Sequence, residues 1–260
     1  MIVYPQFGTG SMAQFPIRKK QLQRTVVNAA LDGSSIRLAD STGASTQWVL
    51  RYIALTDAER EILETFFETT EGSLNTFTFL DPTANLLAWS DQLSNSAWQT
   101  GPQLTLAAGM ADPVGGLLAW KLSNLAAATQ GISQTIQAPA SYQYCFSSYM
   151  RADQSTTVTM TAGGQQAMYR ATPSWARVTF PIGGGAAANS INFGIELPAG
   201  ATVYVYGVQT EAQAGASPYK SSMGGGVYSN ARLAHDLLTF TATAPRQHAC
   251  TVTIINVNHL

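Results

Sequence analysis

Apolar and polar residues alternate along most of the chain, which is the period of a β-strand. Between Arg24 and Ala54 the alternation is interrupted by Asp32-Gly33, a dipeptide that favours a tight hairpin turn, so two paired strands are predicted there. After Asn85, six or more short alternating runs follow one another, separated by residues typical of turns. This pattern predicts an antiparallel sandwich or jelly roll.

One segment has a helical period instead. Thr56 is followed three residues later by Glu59, which is the spacing of a capping box, and the segment stops near Gly72. Its apolar residues recur at the spacing of one helix face: Ile62, Leu63, Phe66 and Phe67. A helix is therefore predicted, and the fold class is mainly β: a β-sandwich with one α-helix that carries an inserted antiparallel jelly-roll domain.

The short carboxy-terminal segment indicates that one domain is inserted into the other. About 35 residues are too few for an independent core, so the two carboxy-terminal strands are expected to pair with the amino-terminal unit. Residues 1–83 plus 224–260 then form one domain, and residues 84–223 form the insertion. Its junctions are predicted at Asp81-Pro82 and at the three glycines Gly224 to Gly226, since insertions succeed where chain ends lie close together at a surface.

Composition narrows the classes of partner. Only 11% of the residues are charged and the formal net charge is -1, so no basic field attracts nucleic acid. No apolar run approaches the length of a membrane span, and the first residues have neither region of a signal peptide. Synthesis in a bacterial cytoplasm and no membrane insertion are expected. Cys145 and Cys250 each lie within a predicted strand, which favours buried free thiols over a disulfide.

The residues that carry out catalysis or bind metals elsewhere show no such pattern here. The three histidines have no spacing of metal ligands: His235, His248 and His259. Four carboxylates offer the two acids that a glycosidase needs, but their interpretation as turn and rim charges is favoured: Asp112, Asp153, Glu196 and Glu211. No catalytic residue, no metal and no cofactor is predicted, and the protein is expected not to be an enzyme.

A sugar-binding face is the remaining candidate for chemistry. In "YQYCFSSYMRA" the alternation places Tyr144, Phe146 and Met150 on one face and Ser147, Tyr149 and Arg151 on the other. Sugars stack on aromatic rings and bind amides and charged groups through their hydroxyls. The candidate glycan-binding residues are Gln134, Tyr149, Arg151 and Gln209. The alternative is that this face is only covered or packs on a neighbouring subunit, and Trp98 and Trp175 are expected in the core.

The two ends of the chain resemble phage tail proteins of the distal-tail and gene-transfer-agent type. The similarity lies in "YPQFGTGSMAQFPI", in "WVLRYIALTDAEREILETFFETTEGSLNTFTFLDP" and in the returning "CTVTIINVNHL". This resemblance covers roughly the first 83 and the last 35 residues. It implies a structural protein of the tail tip or baseplate: a homo-oligomeric ring, expected to be a hexamer, between the tail tube protein and the baseplate hub protein.

The middle of the chain resembles the carbohydrate-binding-module-like jelly rolls of phage tail and tail-fibre proteins. The segments that carry the similarity include "NLLAWSDQLSNSAW" and the ending "VYVYGVQTEAQAGASPYKSS", which follows the pattern G-x-Q-x-E-x-G-x-x-x-S-x-Y. This resemblance implies an outward module that binds host surface polysaccharide. The alternative function is a secreted or surface protein that binds or hydrolyses carbohydrate.

Overall fold

The computed structural model describes residues 1–257, without the side chains of residues 41 and 42. His259 lies outside the described residues. The chain divides into two compact units. Unit 1 consists of Met1–Phe7, Met12–Phe79 and Tyr228–Leu260, of which the last three residues are not described, and unit 2 consists of Gly8–Ser11 and Leu80–Val227.

Sixteen strands and one helix make up the described chain, which confirms the mainly β fold class. In chain order they are β1 (Arg18–Ala29), β2 (Ser35–Leu55), α1 (Asp57–Thr69), β3 (Phe77–Leu80), β4 (Gln99–Thr100), β5 (Leu104–Met110), β6 (Ala119–Asn124), β7 (Gln130–Ile136), β8 (Tyr144–Arg151), β9 (Thr156–Ala162), β10 (Gln165–Ala171), β11 (Ala176–Ile182), β12 (Ile191–Leu197), β13 (Thr202–Glu211), β14 (Val227–Leu233), β15 (Phe240–Ala244) and β16 (Gln247–Val257). No helix among the described residues has the length and apolar character that crossing a membrane requires.

Unit 1 is one sheet with a helix packed on one side. Its strand order is β1-β2-β16-β14-β3, and β15 pairs with β16. The carboxy-terminal strand β16 lies beside β2 in a register that places Ile254 opposite Trp48. Alternate residues of both strands are buried, and α1 packs on that buried side, where a second sheet would lie in a sandwich.

Aromatic rings fill the space between the helix and the sheet. The ring of Phe66 on α1 lies 5.2 Å from that of Tyr4 and 4.9 Å from that of Phe77, and Trp48 contacts Phe79 at 5.0 Å, measured between ring centroids. Edge-on aromatic pairs of this kind are favourable beyond the area that they bury. The hydroxyl groups of Tyr4 and Tyr52 bond at 2.7 Å, so the core also satisfies its polar atoms.

The outer side of this sheet, facing away from α1, is exposed and basic. Arg51 lies on it because it alternates with the buried Leu50 and Tyr52 of β2. Arg18 and Lys20 of β1 lie on the same side, because they pair with residues of β2 that share the parity of Arg51. The side chains of Phe15, Ile53 and Leu237 are also exposed. Together with Arg51 they line a cavity of about 580 Å³. We call this surface, with Arg18, Lys20, Arg51, Ile53 and the cavity, the basic face.

Beyond the sheet, β1 and β2 continue as a two-stranded arm, residues 24–40, which turns at Asp32-Gly33 as predicted. The Oδ1 atom of Asp32 accepts bonds from both the amide and the hydroxyl of Ser34, and Gly33 has a φ of 84° that suits glycine. Ile36 and Leu38 are exposed on this arm. A lone pair of strands is marginally stable in water, so the arm leaves apolar surface without cover.

Unit 2 is an antiparallel sandwich of two five-stranded sheets. Their orders are β10-β9-β12-β7-β4 and β11-β8-β13-β6-β5. Tyr144, Phe146 and Met150 of β8 face the interior as predicted, and Phe193 of the opposite sheet lies 5.5 Å from Phe146. The amide of Asp81 donates to the carbonyl of Gly226 at 2.8 Å, so the first and last segments of unit 2 lie side by side.

We expect Thr56→Ala to lower the free energy of unfolding of unit 1 by about 1 kcal/mol. Both bonds of the predicted capping box are present: Thr56 Oγ1 accepts from the amide of Glu59 at 3.3 Å, and Glu59 Oε2 accepts from the amide of Thr56 at 2.9 Å. Urea denaturation followed by the helical circular dichroism signal, to which α1 is the only helix contributing among the described residues, measures the effect. Thr65→Ala, an exposed position within the same helix, is the matched control, and an equal loss there would contradict the role of the cap.

Candidate functional site

The candidate site lies on the outer face of the sheet that contains β8 and β13. Each strand there turns every second side chain outward, and the strand registers align these side chains in rows across the sheet. The four rows, listed across the strands, are Pro181–Cys145–Glu211, Thr179–Ser147–Gln209, Arg177–Tyr149–Tyr206 and Arg151–Tyr204–Lys121. Aromatic and cationic side chains are thus concentrated in the last two rows.

A β-bulge in β13 makes these rows continuous. The register shifts between Tyr206 and Gln209, so the outward residues change from even to odd numbers along the strand. Gly207 supplies the backbone, because its φ is 65° and a Cβ atom there would lie 3.1 Å from the ring of Tyr219. Both Tyr206 and Gln209 therefore project from the same side of the sheet.

Residues 212–222, which we call the strap, follow β13 and are held onto the first two rows by Gln209 and Glu211. The Oε1 atom of Gln209 accepts from the amide of Lys220 at 2.7 Å, and its Nε2 donates to Glu211 and to the carbonyl of Ser217. Glu211 accepts from the amide of Ser217 at 2.9 Å and pairs with Lys220 at 3.3 Å. The spacing of the G-x-Q-x-E pattern thus serves to anchor the chain that follows it.

The strap covers the β8 and β13 residues of the first two rows, and the other two rows remain only partly open, because Tyr204 and Tyr206 are themselves buried, each with 9% of its surface exposed. Cys145 and Ser147 are fully buried although they project outward, whereas Tyr149 and Arg177 are half-buried. At the boundary, the ring of Tyr219 packs 5.3 Å from that of Tyr206, and its hydroxyl bonds to Asp91 and Ser90. We call the two remaining rows the open face: Arg177, Tyr149, Tyr206, Arg151, Tyr204 and Lys121.

Tyr149 and Tyr206 form the centre of the open face. Their ring centroids are 5.9 Å apart, and neither hydroxyl bonds to another described residue. Burial, followed by the negative charges of Asp112 and Asp91, raises the pKa of Tyr206, so its hydroxyl is protonated at neutral pH. Tyr149 is half-buried and offers apolar ring surface and a hydroxyl group, whereas Tyr206 is only 9% exposed and packs beside it.

Charged groups fix the end of the open face. The guanidinium carbon of Arg151 lies 3.9 Å from the ring centroid of Tyr204, and Nη1 of Arg151 bonds to Asp153 at 2.8 Å. Asp153 also accepts from the Tyr204 hydroxyl at 3.0 Å, and these bonds, that of Tyr204 first, lower the pKa of the carboxyl. A polar cavity of about 420 Å³ continues from Asp153 and is lined by Gln154 and Thr202 among others.

The structure separates the four predicted glycan-binding residues. Tyr149 and Arg151 lie on the open face. Gln209 is buried beneath the strap, with its amide bonded to the protein itself. Gln134 lies on β7, in the opposite sheet, where its amide accepts from the nitrogen of Ala88 at 2.7 Å and donates to the carbonyl of the same residue at 3.0 Å. The expectation of one common face is thus wrong for Gln134, because β7 belongs to the other sheet.

The two tryptophans also differ from each other. Trp98 is buried as predicted and donates from Nε1 to the carbonyl of Trp89 at 3.1 Å. Trp175 is only half-buried, and the guanidinium of Arg151 lies 5.7 Å from its ring. The prediction of a core position for Trp175 is therefore wrong, because this residue precedes β11 at the edge of the sheet and borders the open face.

The four candidate carboxylates serve separate structural purposes or lie apart. Asp112 accepts from the amides of Val114, Gly116 and Leu118. Although burial works to raise its pKa, these amides lower it more, and the net pKa lies below its usual value. Glu211 holds the strap, Asp153 pairs with Arg151, and Glu196 lies on β12 in the opposite sheet. Among residues 1–257, no three histidine, cysteine or carboxylate side chains gather as metal ligands would.

Histidine and cysteine side chains take structural positions. The Nε2 atom of His248 lies 2.8 Å from Oδ1 of Asp57 at the start of α1. Cys145 and Cys250 are both buried and free, as predicted. Burial, with the nearby charge of Glu211 as the second cause, raises the pKa of Cys145 to about 11, so its thiol is not reactive at neutral pH.

The sequence reasoning missed Arg177, Tyr204, Tyr206 and Tyr219. The alternation in "WARVTF" already places Trp175 and Arg177 on one side of a strand, and that in "TVYVYG" does the same for Tyr204 and Tyr206. What it does not give is which strands are neighbours. The register between β11, β8 and β13 brings these residues together with Tyr149.

We expect Gln209→Ala to release the strap and to lower the free energy of unfolding of unit 2 by about 1–3 kcal/mol, because the buried groups that bond to its amide lose their partner. Hydrogen exchange at the amide of Lys220 should become markedly faster. Gln166→Ala on exposed β10 is the matched control. Unchanged protection of Lys220 in the Gln209 variant would show that other contacts hold the strap.

The chain is similar to solved structures over about half of its own length. No protein-family model matches the chain, and no curated protein gives a significant match. The enzymatically active domain of tailspike protein 4 from bacteriophage CBA120 is 15% identical over 51% of this chain, with a TM-score of 0.40, and the match spans only 22% of the tailspike chain. The family 22 xylan-binding module from Paenibacillus barcinonensis Xyn10C is 11% identical over 52% of this chain and 94% of its own, with a TM-score of 0.39. A family 61 carbohydrate-binding module in complex with β-1,4-galactotriose is 12% identical over 49% of this chain and 98% of its own, with a TM-score of 0.37.

Proposed function

We propose that the chain is a structural protein of a phage-type tail tip whose unit 2 binds carbohydrate. The observation that carries the binding function is the open face, where Tyr149 and Tyr206 lie side by side with unused hydroxyl groups. The apolar C–H surface of a sugar ring packs on the half-buried ring of Tyr149, and the sugar hydroxyls bond to the phenol oxygens. The polar cavity beside Asp153 gives a chain of sugars room to continue.

The strap makes the open face suitable for this purpose. Since Tyr219 packs on Tyr206 and bonds to Asp91, one central ring is held in place before any ligand arrives. Arg151 is likewise fixed between Tyr204 and Asp153. A preorganised surface loses little conformational entropy on binding. It remains shallow, so a single copy should bind a sugar weakly, and several copies on one particle would gain roughly 10² to 10⁴ in avidity.

We propose binding without catalysis. The carboxylates nearest to the open face are engaged: Asp153 with Arg151 and Tyr204, Asp91 with Tyr219, and Glu211 with the strap. A hydrolytic mechanism requires an acid and a second carboxylate on opposite sides of the scissile bond. Each of these three carboxylates is bonded to other protein groups, so none of them is presented to a ligand as this mechanism requires.

Unit 1 supports the proposal of a ring. Its helix α1 carries five acidic residues and one basic residue, while the opposite side of the sheet is the basic face with Arg18, Lys20 and Arg51. Opposite charges on opposite sides of one unit favour head-to-tail association, which closes into a ring when the rotation between copies permits. The exposed Phe15, Ile53 and Leu237 would be covered by the same contact.

The tail-tip assignment rests on the resemblance of the two chain ends to distal-tail and gene-transfer-agent proteins. Under this proposal the ring, expected to be a hexamer, joins the tail tube protein to the baseplate hub protein in the virion tail. Unit 2 would then contact host surface polysaccharide. The second candidate is a secreted or surface carbohydrate-binding protein, which the open face supports equally. Detection of the chain at the tip of purified particles would favour the first, and its absence from particles the second.

We expect Tyr149→Ala and the double change Tyr149→Ala, Arg151→Ala each to weaken glycan binding roughly tenfold or more, because truncating the half-buried aromatic anchor removes its contact area. A panel of surface polysaccharides from the host, titrated calorimetrically, provides the measurement. Tyr169→Ala on β10 removes an aromatic ring outside the open face and should leave affinity unchanged. If folded variants of the open face bind and adsorb to host envelopes like the parent, unit 2 is a structural spacer.

We expect Lys20→Glu combined with Arg51→Glu to raise the dissociation constant of the oligomer at least tenfold, since the basic face then repels the helix of the neighbouring copy. Glu61→Lys with Glu68→Lys in the same chain should restore assembly by exchanging the charges. Analytical ultracentrifugation at low and high salt measures the oligomer, and Arg246→Glu at an exposed turn is the control. A monomeric parent chain at every concentration tested would refute self-association.

A further inference from the structure

Arg177 has hydrogen-bonding capacity that the protein does not use. Its Nη2 donates to the hydroxyl of Ser147 at 3.1 Å, and its guanidinium carbon lies 5.5 Å from the ring centroid of Tyr149. The Nε atom is shielded from solvent without a hydrogen-bond partner, and Nη1 donates to no described residue. An arginine carries five N–H donors in a fixed plane, so most of them remain unbonded here.

Two other long cations around this sheet are paired, whereas Lys121 on β6, like Arg177, has no ion pair among the described residues. Arg151 pairs with Asp153 at 2.8 Å, and Lys220 pairs with Glu211 at 3.3 Å. Among the described residues no carboxylate lies within ion-pair distance of Arg177. Arg177 is thus a half-buried cation that the protein has positioned on an aromatic ring without a counter-charge.

The acidic groups near this position are directed elsewhere. Glu211 is bonded to Ser217 and Lys220 beneath the strap, and Asp91 accepts from Tyr219. Asp112 is bonded to backbone amides. Arg177 is close enough to the thiol of Cys145 to lower its pKa, against the larger effects of burial and of Glu211. Its charge therefore acts at the border between the strap and the open face.

The buried Nε atom of Arg177 is closed to a ligand, but Nη1 and the second N–H of Nη2 have no partner among the described residues, and an unpaired guanidinium end is costly unless a ligand completes its bonds. A carboxylate is planar and accepts two parallel bonds from such a group, and charge-assisted bonds of this kind are roughly twice as strong as neutral ones. A neutral sugar has only hydroxyl groups to offer. Arg177 lies beside Tyr149, in the same row as Tyr206. A charged substituent on a bound sugar would therefore meet Arg177 while the sugar ring packs on the neighbouring phenol.

We propose that the open face recognises an acidic polysaccharide, with the carboxylate of a uronic acid bound by Arg177 and the sugar ring packed on Tyr149. This inference rests on the proposed carbohydrate-binding function and adds its ligand class. Lys121, in the neighbouring row, lies on the same face and adds a positive charge for the next acidic residue of the polymer. Binding should therefore weaken as the salt concentration rises, because salt screens exposed charges.

The experiment is a calorimetric titration of the full chain with three oligosaccharides of equal length: a uronic-acid oligomer, its carboxyl-reduced neutral counterpart and a sulfated neutral oligomer. We expect the uronic-acid oligomer to bind at least tenfold more tightly than the reduced one. Arg177→Gln should remove this preference, so that the variant binds the uronic-acid and the neutral oligomer with affinities within about twofold of each other. Arg177→Lys, which keeps the charge but not the planar fork, should retain only part of it.

Arg170→Gln, on exposed β10, is the matched control and should bind all three probes like the parent chain. Equal binding of the uronic-acid and neutral oligomers by the parent would overturn the acidic ligand class while leaving carbohydrate binding intact. Preference for the sulfated oligomer alone would overturn the carboxylate assignment. If the parent chain binds neither the three probes nor any host polysaccharide, the proposed function is rejected. If Arg177→Gln does not fold, the parent chain's preference and the Arg177→Lys variant decide the question.

Discussion

The buried amide of Gln209 determines how unit 2 presents itself to solvent. Its two ends bond to the strap and to Glu211, so residues 212–222 lie across the first two rows of the sheet and reach the third only where Tyr219 packs on Tyr206. Without the bonds of Gln209 the strap would be held only weakly on the sheet, since many of its residues are exposed. The size of the open face, the packing of Tyr219 on Tyr206 and the burial of Cys145 all depend on it.

The bulge at Gly207 is the geometric condition for this arrangement. Two tyrosines before it and two polar residues after it share one side of β13, although their positions differ in parity. In a regular strand, either the two tyrosines or Gln209 and Glu211 would face the interior. One residue of extra length therefore lets a single strand contribute both the ligand-binding surface and the fastening of the strap.

Charge is used sparingly and in specific places. With only 11% charged residues, the chain separates acidic groups on α1 from basic groups on the other side of the sheet in unit 1. In unit 2, Arg151 pairs with Asp153 and Lys220 with Glu211, whereas Arg177 has no ion-pair partner among the described residues, and the ligand class rests on it. Low overall charge reduces the desolvation that wide protein contacts require, so the few unpaired charges can direct which surfaces meet.

Local patterns in the sequence determined the elements that depend on neighbouring residues. The capping box of α1, the turn at Asp32-Gly33 and the buried side of β8 follow from interactions within a few residues, and the structure confirms each of them. The alternation also identified Tyr149 and Arg151 as outward residues of one strand.

Only the tertiary structure decided which outward residues meet. Gln134 and Gln209 look alike in the sequence, yet one binds the backbone of Ala88 in the opposite sheet and the other holds the strap. Arg177 joins Tyr149 because β11 pairs with β8, although 28 residues separate them along the chain. Strand pairing and a one-residue bulge are set by the packing of the whole sandwich, because the same alternating pattern fits many neighbours and registers until the core selects one.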